Sequence, residues 1–242
     1  MKDFKRSCSI FNLKDDAITF IRKEKYIKEL FNTDKRLLVL APNSFKDSKL
    51  ISDVPENVSF YWTKPNFLDF SFFSIHNEIH TDFIPRKAII GKNCNIHDSV
   101  VMDVDGIKFA NGPDGSKIQF KHTGNVIIED NVDIGALSVV HRGTMDSTII
   151  KKGAKIGAKV NIGHNAVVGE NTVIASGAIL AGSVYGKNCW IGMAAVINQG
   201  LTICDYVVIG SGAVVTKNIE EPGIYVGNPA KFIKERGMGQ PL

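Results

Sequence analysis

The sequence predicts a mainly β protein whose larger part is a parallel β-helix, preceded by a small α/β domain. Three observations predict this: aliphatic residues recur every six positions, glycines often follow them, and the first 82 residues do not show that spacing. A stride of six fits neither the period of an α-helix nor the alternation of a flat strand. It fits a chain that makes a short strand, turns a corner and repeats.

The six-residue stride runs through most of the second half of the chain. One residue is missing between Leu180 and Tyr185, and four extra residues lie between Val140 and Ile150. Three such units complete one coil, so each aliphatic residue is predicted to point into a prism. A β-sandwich would instead need turn signals every 8 to 12 residues. The positions on the stride are Ile90, Ile96, Met102, Ile128, Ile134, Val140, Ile150, Ile156, Ile162, Val168, Ile174, Leu180, Tyr185, Ile191, Ile197, Ile203, Ile209 and Val215.

Three segments are expected along the chain. Residues 1–82 form the small α/β domain, residues 83–220 form the β-helix, and residues 221–242 leave the stride as a C-terminal tail. A loop is expected to leave the β-helix at about 103–125, where the repeat lapses, and such loops often carry binding residues. In the first domain we expect strands at 17–21, 36–41 and 58–62 and helices at 24–32 and 66–79.

Composition narrows the classes of function. The net charge is +4 and the basic residues are spread along the chain, which argues against nucleic acid as a partner and suits a small anionic ligand. No stretch approaches the roughly 18 uncharged apolar residues of a membrane helix, and the N-terminus does not resemble a signal peptide. We therefore expect a cytoplasmic protein without membrane insertion. The cysteines match no zinc or redox spacing and predict reduced thiols at Cys8, Cys94, Cys189 and Cys204.

Three segments resemble one enzyme family in order and spacing. They are "DGIKFANGPDG", "VIIEDNVDIGALSVVHRGTMDSTII" and "VNIGHNAVVGENTVIASGAILAGS", and they are similar to the UDP-3-O-(3-hydroxyacyl)glucosamine N-acyltransferases of lipid A synthesis. The N-terminal "DDAITFIRKEKYIKEL" resembles that family's nucleotide-binding domain. The resemblance covers roughly residues 12 to 215 and implies a left-handed β-helix, a nucleotide-binding first domain and a homotrimer.

The chain departs from that family in three ways. It has fewer coils before the expected active site, it does not have the long C-terminal helical extension for acyl carrier protein, and Gln199 and Gly200 replace a second histidine. The ending "VGNPAKFIKER" is similar to the closing motif of hexapeptide acetyltransferases that use coenzyme A. The resemblance therefore implies an N-acyltransferase, expected to be N-acetyl, for a UDP- or dTDP-linked amino sugar of surface polysaccharide biosynthesis. Its co-substrate would be acetyl-CoA or another acyl-CoA, with no tightly bound cofactor.

His164 is the candidate general base. It follows the wall residue Ile162 by two positions, so it cannot point into the core, and it stands where the resembled family carries its catalytic base. An imidazole, with an ordinary pKa of about 6.5, can take the proton of an amine that attacks a thioester. Counting eighteen residues per coil, the same place is held by Gly182 one coil later and by Asp146 one coil earlier, the latter on the condition that the four extra residues come before Asp146. We expect Asp146 to orient the imidazole and the Gly182 N–H to stabilise the oxyanion. A turn aspartate and a corner glycine are the structural alternatives.

The resemblance also assigns candidate binding residues. For the nucleotide sugar it implies two rings that sandwich the base, a lysine near them, three contacts in the loop and an arginine for the diphosphate. These residues are Phe20, Tyr26, Lys23, Phe109, Asn111, Asp114 and Arg142. For coenzyme A it implies a clamp in which adenine lies on the "PA" turn; its residues are Asn228, Pro229, Ala230 and Lys231, with added charge from Lys217. Core packing, turn formation and a solvated tail are the alternatives.

Two other functions stay open at this point. One is an N-acyltransferase of the lipid A pathway that uses a 3-hydroxyacyl carrier protein. The other is a β-helix that is not an acyltransferase, such as a relative of carbonic anhydrase, which would need three histidines around one zinc ion. The only nearby trio is His122, His141 and His164, and the repeat slips between them.

Overall fold

A computed structural model describes residues 4, 6–80 and 88–236 of the 242-residue chain. The chain divides into two compact units, Met1–Pro85 with Ile107–Lys121, and Arg86–Gly106 with His122–Leu242. The segment Ile107–Lys121, which the sequence places in a loop of the β-helix, therefore groups with the N-terminal unit.

The N-terminal unit contains a four-stranded parallel sheet in the order β1-β2-β3-β4. These strands are β1 (Arg6–Ser7), β2 (Ala17–Phe20), β3 (Leu37–Pro42) and β4 (Val58–Thr63). Its helices are α1 (Leu68–Ile79) and four 3-10 helices at Glu24–Leu30, Asn43–Phe45, Lys49–Asp53 and Pro65–Phe67. The three predicted strands are confirmed, whereas the first predicted helix is a 3-10 helix. β3 is buried along its whole length because it lies inside the sheet.

Three sheets of six, eight and six strands form the β-helix, and they are parallel except that the last strand of the eight-stranded sheet runs antiparallel to its neighbour. The strands that follow α1 in chain order are β5 (Ile89–Ile90), β6 (Asn95–Ile96), β7 (Val101–Val104), β8 (Phe109–Asn111), β9 (Lys117–Gln119), β10 (Val126–Ile128), β11 (Asp133–Ile134), β12 (Val139–His141), β13 (Thr148–Ile150), β14 (Lys155–Ile156), β15 (Asn161–Ile162), β16 (Val167–Val168), β17 (Val173–Ile174), β18 (Ile179–Leu180), β19 (Val184–Tyr185), β20 (Trp190–Ile191), β21 (Val196–Ile197), β22 (Thr202–Ile203), β23 (Val207–Ile209), β24 (Val214–Val215), β25 (Gly223–Val226) and β26 (Lys231–Lys234). Of these, β8 and β9 pair as an antiparallel hairpin in the N-terminal unit.

The second residue of most two-residue strands faces the prism. From Ile128 to Val215 every position on the predicted stride is buried, at 4% exposure or less. Ile90, in the first coil, is 47% exposed. The pairing confirms the coil length, since Ile156 pairs with Ile174, eighteen residues on. Burial of these aliphatic side chains, at about 25 cal/mol per Å² of apolar surface, is what stabilises a coil with so few helical elements.

Candidate functional site

His164 lies at a corner of the β-helix, two residues after β15 and three before β16. Its side chain is half-buried, and its Nδ1 atom is 3.0 Å from Oδ1 of the next residue, Asn165. Ile162, Ala166 and Val168 are buried, so Gly163, His164 and Asn165 form the partly exposed corner between them. The prediction that His164 is not a core residue is consistent with this placement.

The side chain of Asn165 makes four hydrogen bonds. Its Oδ1 accepts from the backbone N–H of Thr144 at 3.0 Å and from the hydroxyl of Thr144 at 2.9 Å. Its Nδ2 donates to the carbonyl oxygen of Asp146 at 3.1 Å. The fourth bond is the one to Nδ1 of His164. Its φ of 63° lies in the left-handed region that asparagine tolerates better than most residues.

These bonds determine which nitrogen of His164 carries the proton. A backbone N–H can only donate and a carbonyl oxygen can only accept, so the orientation of the Asn165 amide is unambiguous. Its Oδ1 therefore accepts from His164, and Nδ1 must be the protonated nitrogen of the neutral ring. Nε2 is left with its lone pair, the state that a general base requires. The sequence reasoning missed Asn165, although its position directly after the histidine was a usable signal.

Asp146 lies in the turn next to His164 and Asn165, since its carbonyl oxygen accepts from Nδ2 of Asn165. Val140 pairs with Ile162, twenty-two residues on, whereas Ile149 pairs with Val167, eighteen residues on. The four extra residues therefore lie between Val140 and Ile149, in the turn that contains Asp146. A side chain on Gly124 or Gly143 would overlap the carbonyl oxygen of Asp146, so glycine is required at both positions. The backbone of Asp146 supports Asn165, and the orienting role of its carboxylate stays a prediction.

Gly182 lies one coil above His164, on the turn where the repeat is one residue short. Any side chain there would overlap the carbonyl oxygen of His164. Its own carbonyl accepts from the N–H of Gly200 at 2.9 Å, and its N–H donates to no described residue. The phenol of Tyr185 fills the shortened unit and donates to the carbonyl of Ala181 at 2.9 Å. Burial raises the pKa of Tyr185, so the phenol stays protonated and keeps this donor.

Gly106 and His122 also meet His164, and neither was assigned to the site from the sequence. A methyl group at Gly106 would lie 2.7 Å from Cδ2 of His164 and 3.4 Å from Nε2 of His122. The two imidazole rings meet edge to face, with centroids 5.4 Å apart and planes at 76°. His122 is 1% exposed. The absence of a side chain at Gly106 therefore lets the two rings approach.

The structure does not favour the diphosphate role predicted for Arg142. Its side chain is 2% exposed, its Nε donates to the carbonyl of Gly124 at 2.8 Å, and it lies 3.5 Å from Oδ1 of Asp103. Neither carboxylate oxygen of Asp103 makes a hydrogen bond to a described residue. Arg142 and Asp103 therefore form a buried ion pair. Because the guanidinium is buried, a phosphate in solution does not reach it. The sequence could not show this, since an arginine is usually exposed.

The predicted base-binding rings lie in the N-terminal unit with different neighbours. Phe20 packs on Phe72 with centroids 4.4 Å apart, and the guanidinium of Arg22 lies 5.0 Å from the centroid of Phe20. Tyr26 contacts Phe11 edge to face at 5.2 Å. Phe20 is therefore already engaged on Phe72 and Arg22. Lys23 is exposed just before the 3-10 helix that carries Tyr26, and the pyrimidine sandwich stays a prediction.

The three predicted sugar contacts lie on the β8–β9 hairpin. Phe109 is 49% exposed, with Nζ of Lys117 5.2 Å from its ring, and the same Nζ hydrogen-bonds to Asn111. Asp114 accepts from the N–H and hydroxyl of Ser116, which lowers the pKa of its carboxyl group. These bonds favour the turn-forming alternative for Asp114. On the same hairpin, burial and then the charge of Arg22 lower the pKa of Lys108 to about 8, so it is partly neutral at physiological pH.

The predicted coenzyme A clamp lies between β25 and β26. Asn228, Pro229 and Lys231 are exposed, and the N–H of Ala230 donates to the carbonyl of Val214 at 2.8 Å. Lys217 is exposed just after β24. The segment is therefore anchored to the last coil and is not a loose tail, and binding of coenzyme A there stays a prediction.

All four cysteines are free thiols, as predicted. Burial raises the pKa of Cys189 to about 11, which makes it unreactive. Among the residues that the structure describes, no three histidine, cysteine or carboxylate side chains gather as a metal site. None of the described helices is long and apolar enough to span a membrane.

Comparison with known proteins supports the resemblance found in the sequence. The family described as bacterial transferase hexapeptide (six repeats) matches residues 147–182 and 186–217. A UDP-3-O-acylglucosamine N-acyltransferase of Herminiimonas arsenicoxydans is 40% identical over 153 residues, covering 61% of this chain and 43% of that protein. The enzyme of the same name from Hahella chejuensis is 42% identical over 143 residues, covering 58% and 40%. This chain thus spans less than half the length of these relatives.

A solved UDP-N-acetylglucosamine acyltransferase is similar in fold. Its TM-score is 0.55 at 14% identity, and the match covers 94% of this chain and 69% of that one. Together with the hexapeptide match, this confirms the predicted fold class, a left-handed parallel β-helix preceded by a small α/β region. It also confirms the resemblance to hexapeptide-repeat acyltransferases.

Proposed function

We propose that this protein is an N-acyltransferase that moves an acyl group from a thioester to the amine of a UDP-linked amino sugar. The observation that carries the proposal is the hydrogen-bond set of Asn165, which leaves Nε2 of His164 as a proton acceptor at an outward corner. The acceptor class is supported by 40% identity to an enzyme named UDP-3-O-acylglucosamine N-acyltransferase.

The chemistry requires a base and a donor for the developing negative charge. Nε2 of His164 takes a proton from the amine as its nitrogen attacks the thioester carbon, so a C–N bond forms and the carbonyl becomes an oxyanion. We place the N–H of Gly182 as the oxyanion donor, because it lies in the coil next to His164 and has no described acceptor. Collapse breaks the C–S bond, and the imidazolium returns the proton to the leaving thiolate. The products are an amide and a free thiol.

Two acyl donors fit this reaction. The names of the curated relatives, with an acceptor that is already O-acylated, favour the lipid A-type reaction with a 3-hydroxyacyl carrier protein over acetyl transfer. The anchored, exposed segment at Asn228–Lys231, with lysines at Lys231 and Lys234, favours an acyl-CoA as the second candidate. Both donors carry a phosphopantetheine thioester, so the base and the oxyanion donor would be the same.

The homotrimer expected from the resemblance is also a proposal. Two of the three faces of the β-helix carry outward apolar side chains about half exposed, and they flank the corner that holds His164. These residues are Val101 and Ile179 on one face and Ile89 and Val184 on the other. Exposed apolar surfaces of this kind are typical of protein–protein interfaces. Light scattering of the wild type and Ile179→Glu is expected to show a trimer and a smaller species, and a monomeric wild type would contradict the assembly.

One assay tests the reaction and separates the donors. The protein is incubated with acetyl-CoA or a 3-hydroxyacyl carrier protein and with UDP-3-O-acylglucosamine or UDP- and dTDP-linked amino sugars, and thiol release and amide formation are followed. We expect transfer from the carrier protein to a UDP-linked acceptor, reduced about 10²- to 10⁴-fold in His164→Ala.

The matched control is His97→Ala, which removes an exposed histidine of another corner and is expected to act like the wild type. Transfer from acetyl-CoA alone would select the second donor. No transfer with any pair, or full activity of His164→Ala, would refute the proposed function.

A further inference from the structure

His122 is held against His164 by rigid backbone. The next residue, Thr123, donates from its N–H to the carbonyl of Thr144 at 2.7 Å, and Gly124 donates to the carbonyl of Gly143 at 3.1 Å. Thr144 is the residue whose N–H and hydroxyl hold Asn165. The two neighbours of the base, Asn165 on one side and His122 on the other, are therefore tied to one turn.

The contact between the two histidines is close packing around Gly106. Cδ2 of His164 and Nε2 of His122 lie 2.7 and 3.4 Å from the point that a methyl group on Gly106 would occupy. The rings meet edge to face, and His122 is 1% exposed, so it has little room to move. A half-buried ring that loses such a neighbour gains access to other χ2 settings, since that torsion is broad in histidine.

We propose that His122 is a positioning residue, whose buried ring keeps His164 in the setting where Nδ1 donates to Asn165 and the lone pair is on Nε2. The kinetic part of this inference rests on the proposed function, whereas the structural part concerns the protonation pattern of one imidazole. The edge-to-face contact of the His122 ring with His164 is the observation on which this role rests. A residue of similar flat shape is expected to substitute for it.

The test compares His122→Phe, which keeps a flat ring, with His122→Ala, which removes it. Nitrogen–proton correlation spectra of ¹⁵N-histidine-labelled protein report the tautomer of His164 without any substrate. We expect a single Nδ1-protonated form in the wild type and His122→Phe and a mixture of tautomers in His122→Ala. In the transfer assay His122→Ala is expected to lose about 10-fold or more in kcat with an unchanged KM, since a misplacement of 1 Å can cost about 10²-fold.

Several outcomes would overturn the inference. A single Nδ1-protonated form with full kcat in His122→Ala would do so, and so would loss of that form in His122→Phe. If His122→Ala does not fold, His122→Leu keeps the apolar volume without the flat ring, and a single tautomer there would equally overturn it. If the wild type transfers no acyl group but His122→Ala still shows a mixture of tautomers, the proposed function is refuted and the positioning role stands.

Discussion

Replacing Asn165 by glycine is the sharpest test of the site geometry. Glycine adopts the φ of 63° without strain, so the change removes only the side chain. Four hydrogen bonds of 2.9 to 3.1 Å are lost, and the N–H of Thr144 loses its acceptor. An average hydrogen bond contributes about 1 kcal/mol and an unpaired buried N–H costs about 1–3 kcal/mol. Three hydrogen bonds at about 1 kcal/mol each and one unpaired N–H at about 1–3 kcal/mol give an expected loss of about 4–6 kcal/mol in the free energy of unfolding.

The matched control is Asn171→Gly, at the next corner of the coil. Asn171 has a φ of 53° and is exposed. Its replacement by glycine therefore raises the backbone entropy of the unfolded chain by the same amount, but removes none of the hydrogen bonds of Asn165. Urea unfolding gives the stability of both variants, and the transfer assay gives kcat. We expect kcat to fall about 10- to 100-fold in Asn165→Gly only, because Nδ1 no longer has a fixed acceptor. Equal stability and equal kcat in the two variants would refute the argument about the tautomer.

Three further predictions follow from the same structure. Gly182→Ala places a methyl group on the carbonyl oxygen of His164, so we expect kcat to fall at least 10-fold while thermal unfolding shows a loss of about 1–3 kcal/mol; unchanged kcat would remove Gly182 from the site. Arg142→Leu leaves the buried carboxylate of Asp103 without its cation, and calorimetry is expected to show a loss of about 3–5 kcal/mol that a second change, Asp103→Asn, partly restores; no rescue would contradict the pairing. Burial lowers the pKa of His80 below its ordinary value, so the unfolded chain binds a proton at this histidine more readily than the folded chain does. The contribution of His80 to the free energy of unfolding is therefore fully present above about pH 6.5. It is lost as the pH falls through the lower pKa of the folded state. Urea unfolding between pH 7.5 and 5 is expected to show a weaker decline in His80→Gln, and equal slopes would count against it.

Periodicity predicted the β-helix well because the inward positions are a local property of the chain. Each of the residues from Ile128 to Val215 on the stride is buried, and the two irregularities of the stride appear as an altered strand register. The hairpin at β8–β9 was harder, since its packing on α1 pairs residues far apart in sequence, such as Asn77 with Gln119. The 3-10 helix at Glu24–Leu30 shows the same limit, because helix period and 3-10 period are not separated by so short a pattern.

The sequence by itself determined that the chain coils in units of six, that His164 lies outside the core, and that Gly182 is its neighbour in the next coil. Those statements need only a repeat length, which is a one-dimensional property. Tertiary structure alone decided that Asn165 selects the tautomer, that Arg142 is buried against Asp103, and that His122 meets His164 across Gly106. Each of these depends on the path of irregular segments between coils, where hydrogen bonds and packing, rather than any repeating pattern, place the side chains.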